Sequence, residues 1–382
     1  MKMFKLLVIA AGITALLATS ALAGGTIKIG AILAVTGPAS LLGAPEAKTL
    51  EMLVADINAK GGINGNTIEL MIMDSAGSPE KAISFAKQLI DEKKVFAIIG
   101  PSTSGETMAI KNIAEEGKTI LLSCAAAEVI VNPVAKYVFK TPQMDKHAVL
   151  RIFQQMKKMG ITKIGVLSSN TGFGKAGKEQ IEKLAPENGI QVLISEVYDK
   201  AATDLTAEVT KVKAANVQAI INWSIEPAQA IVIKNARQIG LTMPVFQSHG
   251  FGNTSYVKAA GSAAEGVIFP AGRLIVADSL SDKNPQKALL LSYKQAYEEK
   301  YKEDVSTFGG HAYDAMKILE QAMKAAGPGA DKDKVRSTIE NMKGLVGTAG
   351  IFNFSPTDHN GLDAQAFEMM TVKDGKFTVL EK

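Results

Sequence analysis

Lys28-Ile-Gly-Ala-Ile32 and Lys163-Ile-Gly-Val-Leu167 are near-copies of one short apolar strand pattern. Each opens a run in which strand and helix patterns alternate. In the first run, Thr26–Leu33 reads as a buried strand broken by Gly37-Pro38. A helix follows from about 43 to 59, with Leu50, Leu53, Val54 and Ile57 at helical spacing and Gly61-Gly62 at its end. A strand over 68–74, a helix start at Ser78-Pro79-Glu80, a strand over 95–99 closed by Gly100-Pro101, a further helix and a strand over 119–123 complete the run. The second run predicts helices over 174–188, 204–215 and 227–239, and strands over 191–197, 217–223 and 244–247. Alternation of this kind implies parallel sheets with right-handed crossovers, and two runs imply two doubly wound α/β lobes.

Three Pro- or Gly-marked breaks imply that the chain crosses between the lobes three times, through a three-segment hinge. They are Phe139-Lys-Thr-Pro142-Gln143, Ile268-Phe-Pro270-Ala-Gly272 and Gly347-Thr-Ala-Gly350. Residues 24–140 with 272–347 are expected to form the first lobe, and 141–271 with 348–382 the second. Helices are expected near 285–301, 310–326 and 331–342, and Asp374-Gly375 signals a hairpin. Ligands of such sheets bind beyond the carboxyl ends of the strands, which here line an interlobe cleft.

Residues 1–23 have the form of a signal peptide: Lys2 and Lys5, an apolar stretch from Leu6 to Ala18, then Ala21-Leu22-Ala23 as the cleavage pattern. Export to the periplasm after cleavage at Ala23 is the expectation. Gly24 follows in place of a lipid-modifiable cysteine, so the mature chain is expected to be unanchored. ATP and nicotinamide cofactors are not expected there, and no cofactor is assigned. The mature chain carries 40 basic and 38 acidic residues, scattered, which gives no argument for nucleic acid or an anionic membrane. Cys124 stands alone, so no intrachain disulfide is expected, and beside an apolar strand it reads as a small buried residue.

Gly172-Phe-Gly174-Lys-Ala-Gly177 fits a dinucleotide-binding pattern, with Glu196 near the distance of a ribose-binding acid. Ser168–Thr171 separate it from the strand end, so a pyrophosphate would not rest on the helix in the usual way, and a Gly-rich loop facing the cleft is the preferred reading. No P-loop, His-Glu-x-x-His or Gly-x-Ser-x-Gly is present. His147, His249, His311 and His359 are far apart, without metal-ligand spacing, and Asp358-His359 reads as a solvated turn. No enzyme class is supported.

Gly37-Pro38, Asp56-Ile-Asn-Ala-Lys-Gly-Gly-Ile63, Gly100-Pro-x-x-Ser104, Glu116-Gly117, Gly172-Phe-Gly174, Ala264-Glu-Gly266 and Tyr313-Asp-Ala together resemble the periplasmic leucine/isoleucine/valine-binding proteins of branched-chain amino-acid ABC importers. The resemblance runs over essentially the whole mature chain. It implies a type I periplasmic binding protein fold, a monomer, closure on a ligand between the lobes and delivery to a membrane permease. It also implies a set of ligand positions. Ser104 matches the serine that holds the ligand carboxylate, and its place between a strand and a helix suits an anion; an ordinary helix cap is the plainer reading. Ala125 matches a position offering backbone groups, and Ala127 one where a threonine usually contacts the carboxylate. Phe173, Ile225, Phe308 and Leu42 match aromatic positions of the family, with core packing the alternative for each.

His249, by its spacing to Gly250-x-Gly252-Asn253, replaces the glutamate that pairs with the ligand ammonium. Histidine donates to an oxygen or, protonated, pairs with an anion, so it does not replace a carboxylate's role. His311, one helical turn after Phe308, is placed to reach the same cleft. The combination points to a small organic acid, with an aromatic body permitted by the apolar lining. A branched-chain amino acid and a ligand-sensing receptor role are the alternatives that stay open.

Overall fold

The computed structural model describes residues 24–381, so the leader expectation lies outside the described residues. The first run folds as β1 (Thr26–Leu33), α1 (Ser40–Ala59), β2 (Thr67–Asp74), α2 (Pro79–Lys87), β3 (Ala97–Ile99), α3 (Ser104–Glu116), β4 (Ile120–Ser123) and β5 (Val138–Lys140). The second comprises α4 (Asp145–Lys158), β6 (Lys163–Ser169), α5 (Gly172–Leu184), β7 (Gln191–Tyr198), α6 (Thr206–Ala214), β8 (Ala219–Trp223), α7 (Ala228–Gln238), β9 (Val245–Gln247), α8 (Thr254–Ala260) and β10 (Ile268–Ala271). There follow α9 (Lys287–Tyr301), α10 (Thr307–Ala326), α11 (Lys332–Glu340), a small ribbon of β11 (Leu345–Val346) and β12 (Ile351–Phe352), and the hairpin β13 (Glu368–Lys373) and β14 (Lys376–Val379).

The first sheet has the order β2-β1-β3-β4-β5 and is parallel throughout. The second runs β7-β6-β8-β9-β10 in parallel, the same order, with β13 and β14 added antiparallel beyond β10. The two quoted stretches are thus equivalent strands, and their glycines do the same work. A Cβ on Gly30 would stand 2.7 Å from Leu89, and one on Gly165 would stand 2.6 Å from Val212. Each glycine lets the segment that follows the second strand of its lobe lie close on the sheet. The order places a switch point between β1 and β3, and again between β6 and β8, where ligands of doubly wound sheets bind.

Several expected boundaries move for local reasons. α5 ends at Leu184 because Pro186 lacks an N–H and starts a 3₁₀ turn over Pro186–Asn188. α10 begins at Thr307, since Ser306 is its cap and accepts from the Gly309 N–H at 3.4 Å. Residues 268–271 form β10 rather than a break; Pro270 is tolerated where the strand pairs with β9 only at Ile268. The Asp374-Gly375 hairpin forms as expected, with both residues at positive φ and both N–H groups donating to Glu265.

The expected lobe boundary after residue 347 gives way. Ala349, Phe352, Phe354, Leu362 and Ala366 pack into the core of the first sheet with Ile99, Leu122 and Phe139, while Phe367, Met369 and Met370 join the core of the second. The tail therefore runs on along β5 and changes lobe at Ala366–Phe367. His359 is buried there, which corrects the reading of a solvated turn. Its ring stacks on Phe139 at 4.1 Å, and Nδ1 donates to the Val138 carbonyl at 2.8 Å. The Lys140 N–H donates to the His359 carbonyl, so the tail closes the free edge of β5.

Phe354 stacks on Phe352 at 5.4 Å and meets Phe139 edge-on at 6.0 Å. Phe354→Ala is expected to lower stability by about 3–5 kcal/mol. Urea unfolding checks this; a loss below about 1 kcal/mol contradicts a core role for the tail.

Candidate functional site

The loops at the carboxyl ends of the two sheets meet around a small cavity of about 20 Å³, room for about one water-sized sphere. Beside it, and sharing Phe173 and Ile225 as a partition, lies a cleft of about 200 Å³ that includes Thr103, Gly105, Gly172 and Glu226.

The structure brings most of the expected residues together. From the first sheet come Leu42 on α1, Ser104 at the start of α3 and Ala125 after β4; from the second come Phe173 at the start of α5, Ile225 after β8 and His249 after β9; α10 adds Phe308 and His311. Ala127 is the exception. Its N–H turns to Ser104 Oγ at 3.3 Å and its methyl packs with Ile130 and Val131, so it stands behind the wall. Ala125 lines the cavity, but its N–H donates to Ser123 Oγ at 3.1 Å and is not free for a ligand.

Ser104 is not the helix cap. Thr103 holds that place: its Oγ1 accepts from the Glu106 N–H at 3.4 Å and donates to Glu106 Oε2 at 2.6 Å. Ser104 Oγ accepts only from Ala127, which leaves its hydrogen for the cavity. The glycines of the apparent dinucleotide motif have packing roles instead. A Cβ on Gly174 would strike Ser169 O at 2.0 Å, and one on Gly177 would strike the Trp223 indole at 2.1 Å. Gly172 meets Gly105 backbone to backbone across the cleft, where an added Cβ would stand 2.8 Å from the Gly105 Cα.

His249 sits among three rings, each near perpendicular to it: Phe173 at 5.3 Å, Phe367 at 5.5 Å and Trp223 at 5.6 Å. Neither of its ring nitrogens has a protein partner, and Nδ1 of His311 has none either. Burial is the first cause that drives both imidazoles down, His249 well below its ordinary range and His311 to about 3; the Lys140 charge adds to it. Both rings are therefore neutral near pH 7. Lys140 itself is fully buried behind the wall and donates to the carbonyls of Ala126 and Pro142, each at 2.9 Å.

Sequence reasoning missed Lys140, Ser102 and Glu46. Ser102 lines the cavity, and Glu46 lies behind it. A signal existed for two of them. Lys140 interrupts an apolar run, and Glu46 falls on the buried stripe of α1 between Leu42 and Leu50. Cys124 lines the cavity as a buried thiol that burial pushes well up, so it is no nucleophile. No His, Cys, Asp or Glu cluster suited to a metal occurs among the described residues.

Two parallel-sheet lobes of one order, joined by three crossings and facing each other over a shared cavity, define a type I periplasmic binding protein. Residues 26–376 match the family described as periplasmic binding protein, and the chain belongs to that family. It is 28% identical over 367 residues to the leucine-, isoleucine-, valine-, threonine- and alanine-binding protein of Pseudomonas aeruginosa, across 95% of this chain and 92% of the relative. Among solved structures, an extracellular ligand-binding receptor from Rhodopseudomonas palustris HaA2 superposes with a TM-score of 0.87 at 28% identity, over 93% of this chain and 99% of that one. The branched-chain amino-acid substrate-binding protein LivJ of Streptococcus pneumoniae, in complex with isoleucine, gives a TM-score of 0.80 at 26% identity, over 93% and 98%.

The neutral histidines carry a pH prediction. The His311 value is depressed in the folded state, so its contribution to stability is complete above the unfolded value of 6.5 and is lost as pH falls towards about 3. At pH 5 the unfolded chain binds close to one more proton at this residue than the folded one. His311→Gln is expected to reduce the slope of unfolding free energy against pH by about 1.4 kcal/mol per pH unit there. Urea titrations between pH 4 and 6.5 measure it; an unchanged slope shows that His311 is already protonated in the fold.

Proposed function

We propose that this protein is the periplasmic substrate-binding component of a branched-chain amino-acid-type ABC importer, and that its cargo is a small organic acid with an apolar, aromatic or branched body. The observation that carries the ligand class is His249. It stands where the resemblance expects the acid for an ammonium group, and it is neutral, enclosed by aromatic rings and unpartnered at both nitrogens. No carboxylate side chain lines the cavity among the described residues. A buried ammonium there would lie without a counter-charge, at a desolvation cost of several kcal/mol. A carboxylate is better served. The Ser104 hydroxyl and the amino end of α3 both favour negative charge. His249 then donates to a second oxygen or packs on the ligand body.

An amino acid is the second reading, favoured by Glu226, which is buried at the adjoining cleft. Its Oε2 already accepts from Ser224 Oγ at 2.7 Å and from the Ile225 N–H at 3.2 Å, which weakens its claim on a ligand ammonium.

Leucine and 4-methylpentanoate differ only by the amino group and separate the two readings. The acid at about a hundred times its dissociation constant is expected to add about 2.7 kcal/mol of stability, read as a rise in melting temperature. Benzoate tests an aromatic body in the same assay. His249→Glu is expected to abolish acid binding. A shift with leucine and none with either acid overturns the organic-acid reading.

A further inference from the structure

Ser102 lines the cavity, and its hydroxyl is engaged by two groups that do not, Ala34 and Glu46. Oγ accepts from the Ala34 N–H at 3.0 Å and is hydrogen-bonded to Glu46 Oε2. Glu46 is wholly buried, and its other oxygen, Oε1, has no partner. A buried carboxylate ion with a single donor is poorly stabilised, whereas a neutral carboxylic acid has a proton to give. The groups that act on Glu46 leave the same answer. Glu106 is a second buried carboxyl, with its own Oε1 unpartnered, and the Cys124 thiol is neutral. Burial raises Glu46 well above the ordinary carboxyl range; the Ser102 bond opposes this and the charge of Glu106 adds to it.

We propose that Glu46 is a specificity-determining residue that, as a neutral acid, donates its proton to Ser102 Oγ and so turns the Ser102 hydrogen into the cavity towards an anionic oxygen of the ligand. The reasoning is a count of hydrogens. A hydroxyl has two lone pairs and one hydrogen. With Glu46 protonated, both lone pairs are filled, by Ala34 and Glu46, and the hydrogen has only the cavity to point to. With Glu46 ionised, the hydrogen is committed to Glu46, and Ser102 offers the cavity a lone pair that suits an ammonium. One proton on a residue outside the cavity wall thus sets whether the wall donates or accepts. The inference rests on the organic-acid reading and deepens it.

The test combines infrared spectroscopy with binding. The ligand-free wild type is expected to show the carbonyl stretch of a protonated carboxyl that E46Q lacks. S102A shifts the same band by removing its partner, which keeps the assignment open to test should E46Q fold poorly. The glutamine amide still donates to Ser102, so E46Q is expected to hold 4-methylpentanoate within about threefold of wild type, whereas S102A weakens it by about tenfold or more. A missing band with acid binding intact overturns the role of Glu46 and leaves the ligand reading standing. E46Q losing as much affinity as S102A also overturns it. Binding of leucine and not of the acid, with the band present, overturns the ligand reading and the selection by Ser102 together.

Discussion

Gly105 and Gly172 meet backbone to backbone where α3 and α5 begin, and a single Cβ at Gly172 would hold the two lobes apart. The chemistry of the cavity depends on that close approach. The void left between the lobes is about 20 Å³, and burial around it keeps His249 and His311 uncharged and raises the pKa of Glu46. The close approach also brings the amino ends of two helices face to face. Their dipoles repel unless negative charge lies nearby, so the closed cleft is electrostatically suited to an anion. On the organic-acid reading, Gly172 and two helix ends thus act before any side chain is considered.

Lys140 carries the same constraint into the hinge. It ends β5, immediately before the first crossing, and its ammonium holds one carbonyl of the cavity wall and one of the crossing itself. Asn360 donates to the carbonyls of Lys140 and Pro142 from the other side. Asp145, just past the crossing, receives the N–H groups of Glu128 and Lys146. Burial pushes the lysine down and the aspartate up, while their mutual attraction opposes both shifts. Lys140 and Asp145 are each held by backbone groups rather than by one another. The two bonds from Lys140 tie the wall to the pivot.

The repeat of Lys-Ile-Gly was enough to reveal two like lobes, because strand period and helix period are local properties of sequence. The boundary of the tail was not legible in the same way. Gly347-Thr-Ala-Gly350 reads as a crossing, yet Phe352 and Phe354 find their partners in Phe139 and β5, far away in the chain. His359 looked solvated because Asp358 and Asn360 flank it; its stacking partner is likewise non-local. At the site, the resemblance led to the wall positions in sequence, but Ala127 turned inward once its N–H was taken by Ser104. Glu46 and Lys140 act through neighbours that only folding supplies, so no local pattern identifies their roles.

A binding protein signals occupancy only if the ligand prefers the closed form, and preference needs contacts from both lobes. The cavity provides them in a divided way. Ser102 and Ser104 belong to the loops of the first sheet, His249 and Phe173 to those of the second. On the organic-acid reading, the acid group meets Ser102, Ser104 and the amino end of α3 from the first lobe and His249 from the second, so it already gives some preference for the closed form. An apolar body that reaches the ring cluster of the second lobe adds to the differential affinity. On that reading the body of the ligand strengthens closure, and the acid group supplies selection as well.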